Sequence, residues 1–149
     1  MGKRARAGSD SRCCSETSPP LVWQDLVDTA HPSVVEFTDW LSSLQPFARD
    51  FVTGQIAGLM DEASSGRLED TGDEKTPIKP AHPNPEVYEL RSTQLSKKLR
   101  FYHGEPNQLP SFLVALHMHI KTTTAAQRPE IAHATSKYVQ GAKTNWGVV

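Results

Sequence analysis

The stretch EVYELRSTQLSKKLRFYHGEPNQLPSFLVALHMHIK, residues 86–121, decides the fold class. Three of its segments, 86–91 (EVYELR), 98–103 (KLRFYH) and 112–121 (FLVALHMHIK), have the composition and alternation of strands. Short turns separate them, one containing Gly104, Pro106 and Asn107, which predicts a meander of three antiparallel strands. Alternate side chains on a strand project to opposite faces. Phe112, Val114, Leu116, Met118 and Ile120 are therefore expected on the core face, and Leu113, Ala115, His117, His119 and Lys121 on the other. In the same way Leu99 and Phe101 oppose Arg100 and Tyr102, while Tyr88 and Leu90 oppose Val87, Glu89 and Arg91. With the apolar faces aligned, Arg91, Arg100, His117, His119 and Lys121 share the sheet face turned away from the helices.

Upstream the period changes. Phe37, Trp40, Leu41 and Leu44, then Phe47, Phe51, Val52, Ile56, Leu59 and Met60, recur at intervals of three and four, the spacing of a helix stripe. Pro46 divides them into helices over about 33–44 and 46–63, with Pro46 in the first turn of the second. Ser33 and Glu36 form a capping-box pattern at the first start. Leu21 to Val27 is a candidate first strand, and residues 64–85, rich in Gly, Pro, Asp and Glu, are expected as a loop. Downstream, Ile131, Ala134 and Tyr138 place a helix over 127–139, and residues 141–149 show no clear period. Helices followed by strands indicate an α+β architecture, two N-terminal helices and a C-terminal helix on a small antiparallel sheet.

The 149 residues suit one domain, expected over 21–149, behind a small, polar, basic tail at 1–20 that is expected to be disordered. No apolar run approaches the roughly 20 residues of a membrane span, and the basic start is followed by no apolar signal-peptide stretch, so a soluble cytoplasmic protein is expected. Cys13 and Cys14 lack the further cysteines of a zinc set or disulfide framework. The net charge of -1 hides a segregation. Residues 21–75 carry three Lys/Arg against eleven Asp/Glu, whereas residues 76–149 carry nine against four and five of the six histidines. A basic half suggests an anionic partner.

Cations gathered on one sheet face suit phosphate binding and stabilise charge developing on a transferring phosphorus. Glu89 is placed to pair with Arg91 or Arg100 and orient it. A histidine near neutral pKa is a proton carrier, which makes His117 and His119 candidates. As a metal pair these two lack a third ligand of clear spacing, His103 being the remaining candidate, so no metal and no cofactor is expected. Phosphate-loop, dinucleotide, zincin and nucleophile-elbow motifs are all missing from the sequence.

Four short segments in order, Val87-Tyr-Glu-Leu-Arg91, Leu99-Arg-Phe-Tyr102, Leu116-His-Met-His-Ile-Lys121 and Pro129-Glu-Ile131, resemble the RelE/HigB-like toxins of type II toxin–antitoxin systems, in particular their phage-derived branch. That branch shows YELR, then R-v-x-Y-F, then L-H-G-F-x-K-K-T, then a helix beginning E-I. The resemblance spans about residues 21–140 and implies a microbial-ribonuclease-like fold that enters the ribosomal A site and cuts mRNA. It implies metal-free attack by the 2′-hydroxyl on the adjacent phosphodiester, with Arg91, Arg100 and Lys121 at the family's basic positions; His119 or His117 is added as proton carrier from its own chemistry. Lys97, Lys98, Tyr102 and Arg128 are the expected RNA contacts. A helix-turn-helix antitoxin is the implied partner, in a toxin–antitoxin hetero-oligomer, alongside ribosome and mRNA and without a membrane.

Departures bear on strength. Met118 and His119 replace the family's glycine and aromatic, Thr122 its second lysine, and Thr123-Thr-Ala-Ala-Gln127 a lysine-rich linker. Fewer cations weaken RNA binding. A non-catalytic toxin-like protein that binds an antitoxin and takes part in transcriptional regulation is the alternative reading, and gyrase inhibition, as in sister toxins, a third.

Overall fold

The computed structural model describes residues 10–149. Strand β1 (Val22–Asp25) precedes helices α1 (Pro32–Ser43) and α2 (Pro46–Ser64); strands β2 (Ile78–Pro83), β3 (Glu86–Gln94), β4 (Lys97–Gly104) and β5 (Phe112–Lys121) follow, then helix α3 (Thr124–Gly141). The fold is α+β, but the sheet has five strands rather than three, in the order β1-β5-β4-β3-β2, and is mixed because β1 runs parallel to β5. Strand β2 lies inside the stretch expected to be a loop. Its Pro80 and Pro83 argue against a central strand, yet at the sheet's edge a missing N–H costs no ladder bond.

Both faces are covered. Helices α1 and α2 lie over a cluster of Phe37, Ala63, Tyr88, Leu90, Leu99, Phe101 and Leu113, and α3 with the C-terminal Trp146 covers Val87, Tyr102, Val114 and Leu116. Strand β5 supplies both clusters because Tyr102 pairs with His117 while His103 pairs with Ala115, leaving Leu116 as an extra residue. A bulge shifts the alternation. Val114 and Leu116 therefore face α3, whereas Met118 and Ile120 face α1 and α2. This corrects the single core face expected along β5, and it corrects the expectation that the basic face is free of helices.

Helix boundaries follow local chemistry. The cap of α1 is His31 rather than Ser33, its Nδ1 accepting from the Ser33 amide at 3.1 Å with Pro32 in the first turn. Helix α3 begins earlier than expected, the Thr123 hydroxyl accepting from the Ala126 amide, so Pro129 lies inside it. Phe47 and Phe51, placed on the core stripe of α2 by spacing, are 86% and 55% exposed.

Residues 10–20 are not a disordered tail; the Lys3, Arg4 and Arg6 part of that expectation lies outside the described residues. A 3-10 turn at Arg12–Cys14 docks on the β4–β5 connection. The Arg12 guanidinium donates to the carbonyls of Leu109, Phe112 and Pro106, and its amide to Glu105 at 2.8 Å. Cys13 is fully buried, its Sγ 3.5 Å from His103 Nε2, and Glu105 also accepts from Ser11 and meets His103 at 2.7 Å. Burial alone would lower the His103 imidazolium, but Cys13 and Glu105 outweigh it and push it up to about 10. Burial would raise Glu105, and its bonds to His103, Arg12 and Ser11 instead hold it below the usual carboxylate range.

Glu105's depressed pKa stabilises the fold above its ordinary value near 4.5 and is lost as pH falls through the folded value; His103 stabilises below 6.5 and is lost as pH rises through about 10. Glu105→Gln should cost about 2 kcal/mol near pH 6 and flatten the acid limb of urea midpoints measured from pH 7 to 3. Gln94 pairs with Lys97 around a two-residue turn whose Leu95 and Ser96 have φ of 49° and 67°. Ser96→Gly should raise stability by roughly 0.5–1 kcal/mol, read from the same midpoint, because glycine adopts this region without steric cost.

Candidate functional site

Directly paired residues on neighbouring strands point to the same face. The register sets Arg91 opposite Arg100 and Arg100 opposite His119; Glu89 opposite Tyr102 and Tyr102 opposite His117; and Thr93, Lys98 and Lys121 in the next row. Lys79 pairs with Glu89 and joins the face. The structure thus brings Arg91, Arg100, His117, His119 and Lys121 together as the alternation implied.

Glu89 is the hub. It is 3% exposed, with its Oε2 3.1 Å from Arg100 Nε, 3.8 Å from Arg91 Nε and 3.0 Å from the donating Gln127 Nε2 of α3. Neither arginine Nε is aligned as a hydrogen bond, so the carboxylate neutralises charge without using up the guanidinium donors. Arg91 and Arg100 line an open cleft of about 430 Å³ with Glu74, Lys75, Thr76, Ser92 and Thr93, beside the part of β3 that extends past β2. Lys121 stands outside the cleft lining, in the next row of the same face beside Lys98. Partial burial and the neighbouring Arg100, Arg91 and Lys79 lower its pKa, with Glu89 opposing.

The histidines lie deeper than expected. His117 is 1% and His119 4% exposed, both beneath α3. Gln127 Nε2 donates to the Tyr102 hydroxyl at 2.8 Å, and that hydroxyl meets His119 Nε2 at 2.8 Å. A hydroxyl that accepts from Gln127 directs its own hydrogen to Nε2, so the ring proton sits on Nδ1. Burial, with His117 and Arg100, pulls His119 down to about 4 against Glu130, so the ring is neutral at physiological pH. His119 lines a cleft of about 130 Å³ with Ser33, Glu36, Thr122, Ala126 and Glu130. His117 Nε2 lies 2.7 Å from Glu130, and burial lowers its pKa despite that carboxylate.

Tyr102 is 1% exposed, so the expectation of an RNA contact there is corrected: its ring is buried against His117 and His119. Lys97 and Lys98 are exposed at the β3–β4 hairpin, and Arg128 is exposed on α3. His103 is not near His117; it lies on the opposite sheet face with Cys13. Gln127, Glu130, His31 and His133 were not singled out from the sequence. The Glu130/His133 spacing of three on a helix was the available signal.

No protein-family model, curated protein or solved structure matches the chain. Among the described residues no helix is long and apolar enough to cross a membrane.

Removing Glu89 tests the hub. Glu89→Ala leaves a buried Arg100 uncompensated and should cost about 3–5 kcal/mol, measured by urea unfolding. Glu89→Gln, which keeps a partner for Gln127, should cost less.

Proposed function

We propose that this protein is a RelE/HigB-like toxin that binds mRNA on the ribosome and promotes its cleavage by 2′-hydroxyl attack. The observation that carries the reading is the row-by-row register that gathers Arg91, Arg100, Lys98, Lys121 and Lys79 at one end of a sheet face. Among the described residues Glu89 is the acidic group that falls in these paired rows. Arg91, Arg100 and Lys75 line the cleft together with Glu74, and Lys79, Lys98 and Lys121 extend the positive face beyond it, a surface suited to a phosphate backbone. Arg91 and Lys121 are half-buried and reach solvent, so they hold the phosphate and spread the charge that develops on it. Arg100 stands behind them and raises the local positive potential.

The histidines are not the proton carriers their chemistry suggested. With Nε2 held by Tyr102, His119 positions the α3 cover and the floor of the face. Proton movement at the reacting hydroxyl then falls to Lys121, whose pKa is lowered, or to groups of the ribosome. The expected cytoplasmic location and helix-turn-helix antitoxin belong to the same reading. Phe47 and Phe51, exposed together on α2, supply apolar surface of the kind a protein partner covers.

Induction of the full chain in bacteria, with mRNA mapped by primer extension on translating ribosomes, tests the proposal. The wild type should arrest growth and yield cuts only on ribosome-bound message. Arg91→Ala with Lys121→Ala should lower cleavage by ~100-fold or more while leaving the unfolding midpoint nearly unchanged. Binding of single-stranded RNA by the double variant should show a shallower salt slope. A harmless wild type with intact mRNA overturns the nuclease reading, and complex formation with a DNA-binding partner that survives the double substitution then supports the regulatory alternative.

A further inference from the structure

Beneath the N-terminus of α1 three imidazoles meet. The ring centroids of His31 and His117 are 4.7 Å apart, those of His31 and His133 4.3 Å, and those of His117 and His133 4.6 Å. Glu130 completes the group, its Oε2 2.7 Å from His117 Nε2. One donor atom each from His31, His117 and Glu130 lies within 4.8 Å of the others. The four side chains come from three separate elements, the α1 cap, β5, and one face of α3 at positions three apart.

Packing alone is a poor account of this arrangement. Imidazoles inside a protein normally find hydrogen-bond partners. Here His117 Nδ1 and His133 Nε2 are buried with none among the described residues. Three rings bound tetrahedrally to one ion at about 2.0–2.1 Å place their centroids roughly 5.2 Å apart, so the rings, now 4.3–4.7 Å apart, open by about 0.5–0.9 Å to admit it. Three neutral imidazoles and a carboxylate are the donor set of zinc and the neighbouring late first-row divalent ions.

We propose that His31, His117 and Glu130 bind one zinc-class divalent ion, with His133, packed against both rings but outside that donor group, turning in as the fourth ligand, so that the ion staples α1, β5 and α3 together over the basic face. His31 exchanges the capping bond from the Ser33 amide for the ion, a small loss beside the metal bonds. Ser33 donates to Glu130, a partner that orients the carboxylate from outside the donor set. The site stands apart from the RNA reading, because Arg91, Arg100, Lys121 and His119 take no part in it.

The other cluster of metal-ligand type, Cys13, His103 and Glu105, serves as the control. It holds one imidazole against three, and its carboxylate has three partners, Ser11, the Arg12 amide and His103, where Glu130 has two, Ser33 and His117.

The test uses the full-length, tag-free chain stripped with chelator and titrated with Co²⁺ or Zn²⁺ alone. One Co²⁺ per chain should bind, with visible d–d bands and no thiolate charge-transfer band, and Zn²⁺ should displace it. Saturating Zn²⁺ should raise the wild-type Tm by about 5 °C or more. Glu130→Gln and His133→Ala, each checked for folding by circular dichroism, should weaken Co²⁺ binding at least about 10-fold and abolish the Tm shift, while Cys13→Ser leaves both unchanged. The wild-type titration and spectrum do not depend on any variant folding. Absence of saturable binding at 100-fold excess of either ion overturns the proposal. So does a thiolate band, or binding lost in Cys13→Ser and retained in His133→Ala, which assigns the ion to the other cluster.

Discussion

A carboxylate buried between two arginines constrains most of this molecule. Arg91 and Arg100 stand directly opposite each other on β3 and β4, a like-charge pairing that destabilises a sheet unless an anion intervenes. Glu89 supplies the anion, two residues along the same strand and therefore on the same face. Because its second duty is to accept from Gln127, the charge balance of the sheet and the docking of α3 are one interaction. Through Gln127 the connection continues to Tyr102 and His119, so the cover of the face, the tautomer of its histidine and the orientation of its cations are set together.

The bulge at Leu116 is the second determinant. By turning the first half of β5 over relative to the second, it lets one strand place Val114 and Leu116 under α3 and Met118 and Ile120 under α1 and α2. The face that carries the cations is therefore half core and half site. Its apolar end anchors α3, and its basic end opens into the cleft beside Arg91 and Arg100. The segment around Arg12 closes the rest of the sheet by capping the carbonyls of the β4–β5 connection.

How much of this the sequence showed differs from one element to the next. The alternation in β3 and β4 put Glu89, Arg91, Arg100 and Tyr102 on one face, because strand geometry is strictly periodic and both strands keep their phase. It failed in β5, since a bulge leaves no mark in a run of residues that are apolar on both sides. It missed β2, where two prolines imitate a loop and only the edge position makes them tolerable. It missed the ordered segment at residues 10–20, whose polar composition conceals one buried cysteine and one arginine that bonds three carbonyls. Among the site residues, the cations were legible as charge in a strand pattern, whereas Gln127, Glu130, His31 and His133 were not, being polar residues scattered over more than a hundred positions.

What the sequence determined by itself is the α+β class, the two N-terminal helices divided at Pro46, the strand faces of β3 and β4 and the concentration of positive charge in the second half. These depend on local periodicity and on the geometry of proline, and both act within a few residues. What only the tertiary structure decided is which polar groups meet: Glu89 with Arg100 and Gln127, His103 with Cys13 and Glu105, and His31 with His117, His133 and Glu130. Such meetings depend on strand register, a bulge and helix docking. Those are set by burial over the whole chain, because a buried charge or imidazole is tolerated only where folding brings a partner from elsewhere in the sequence.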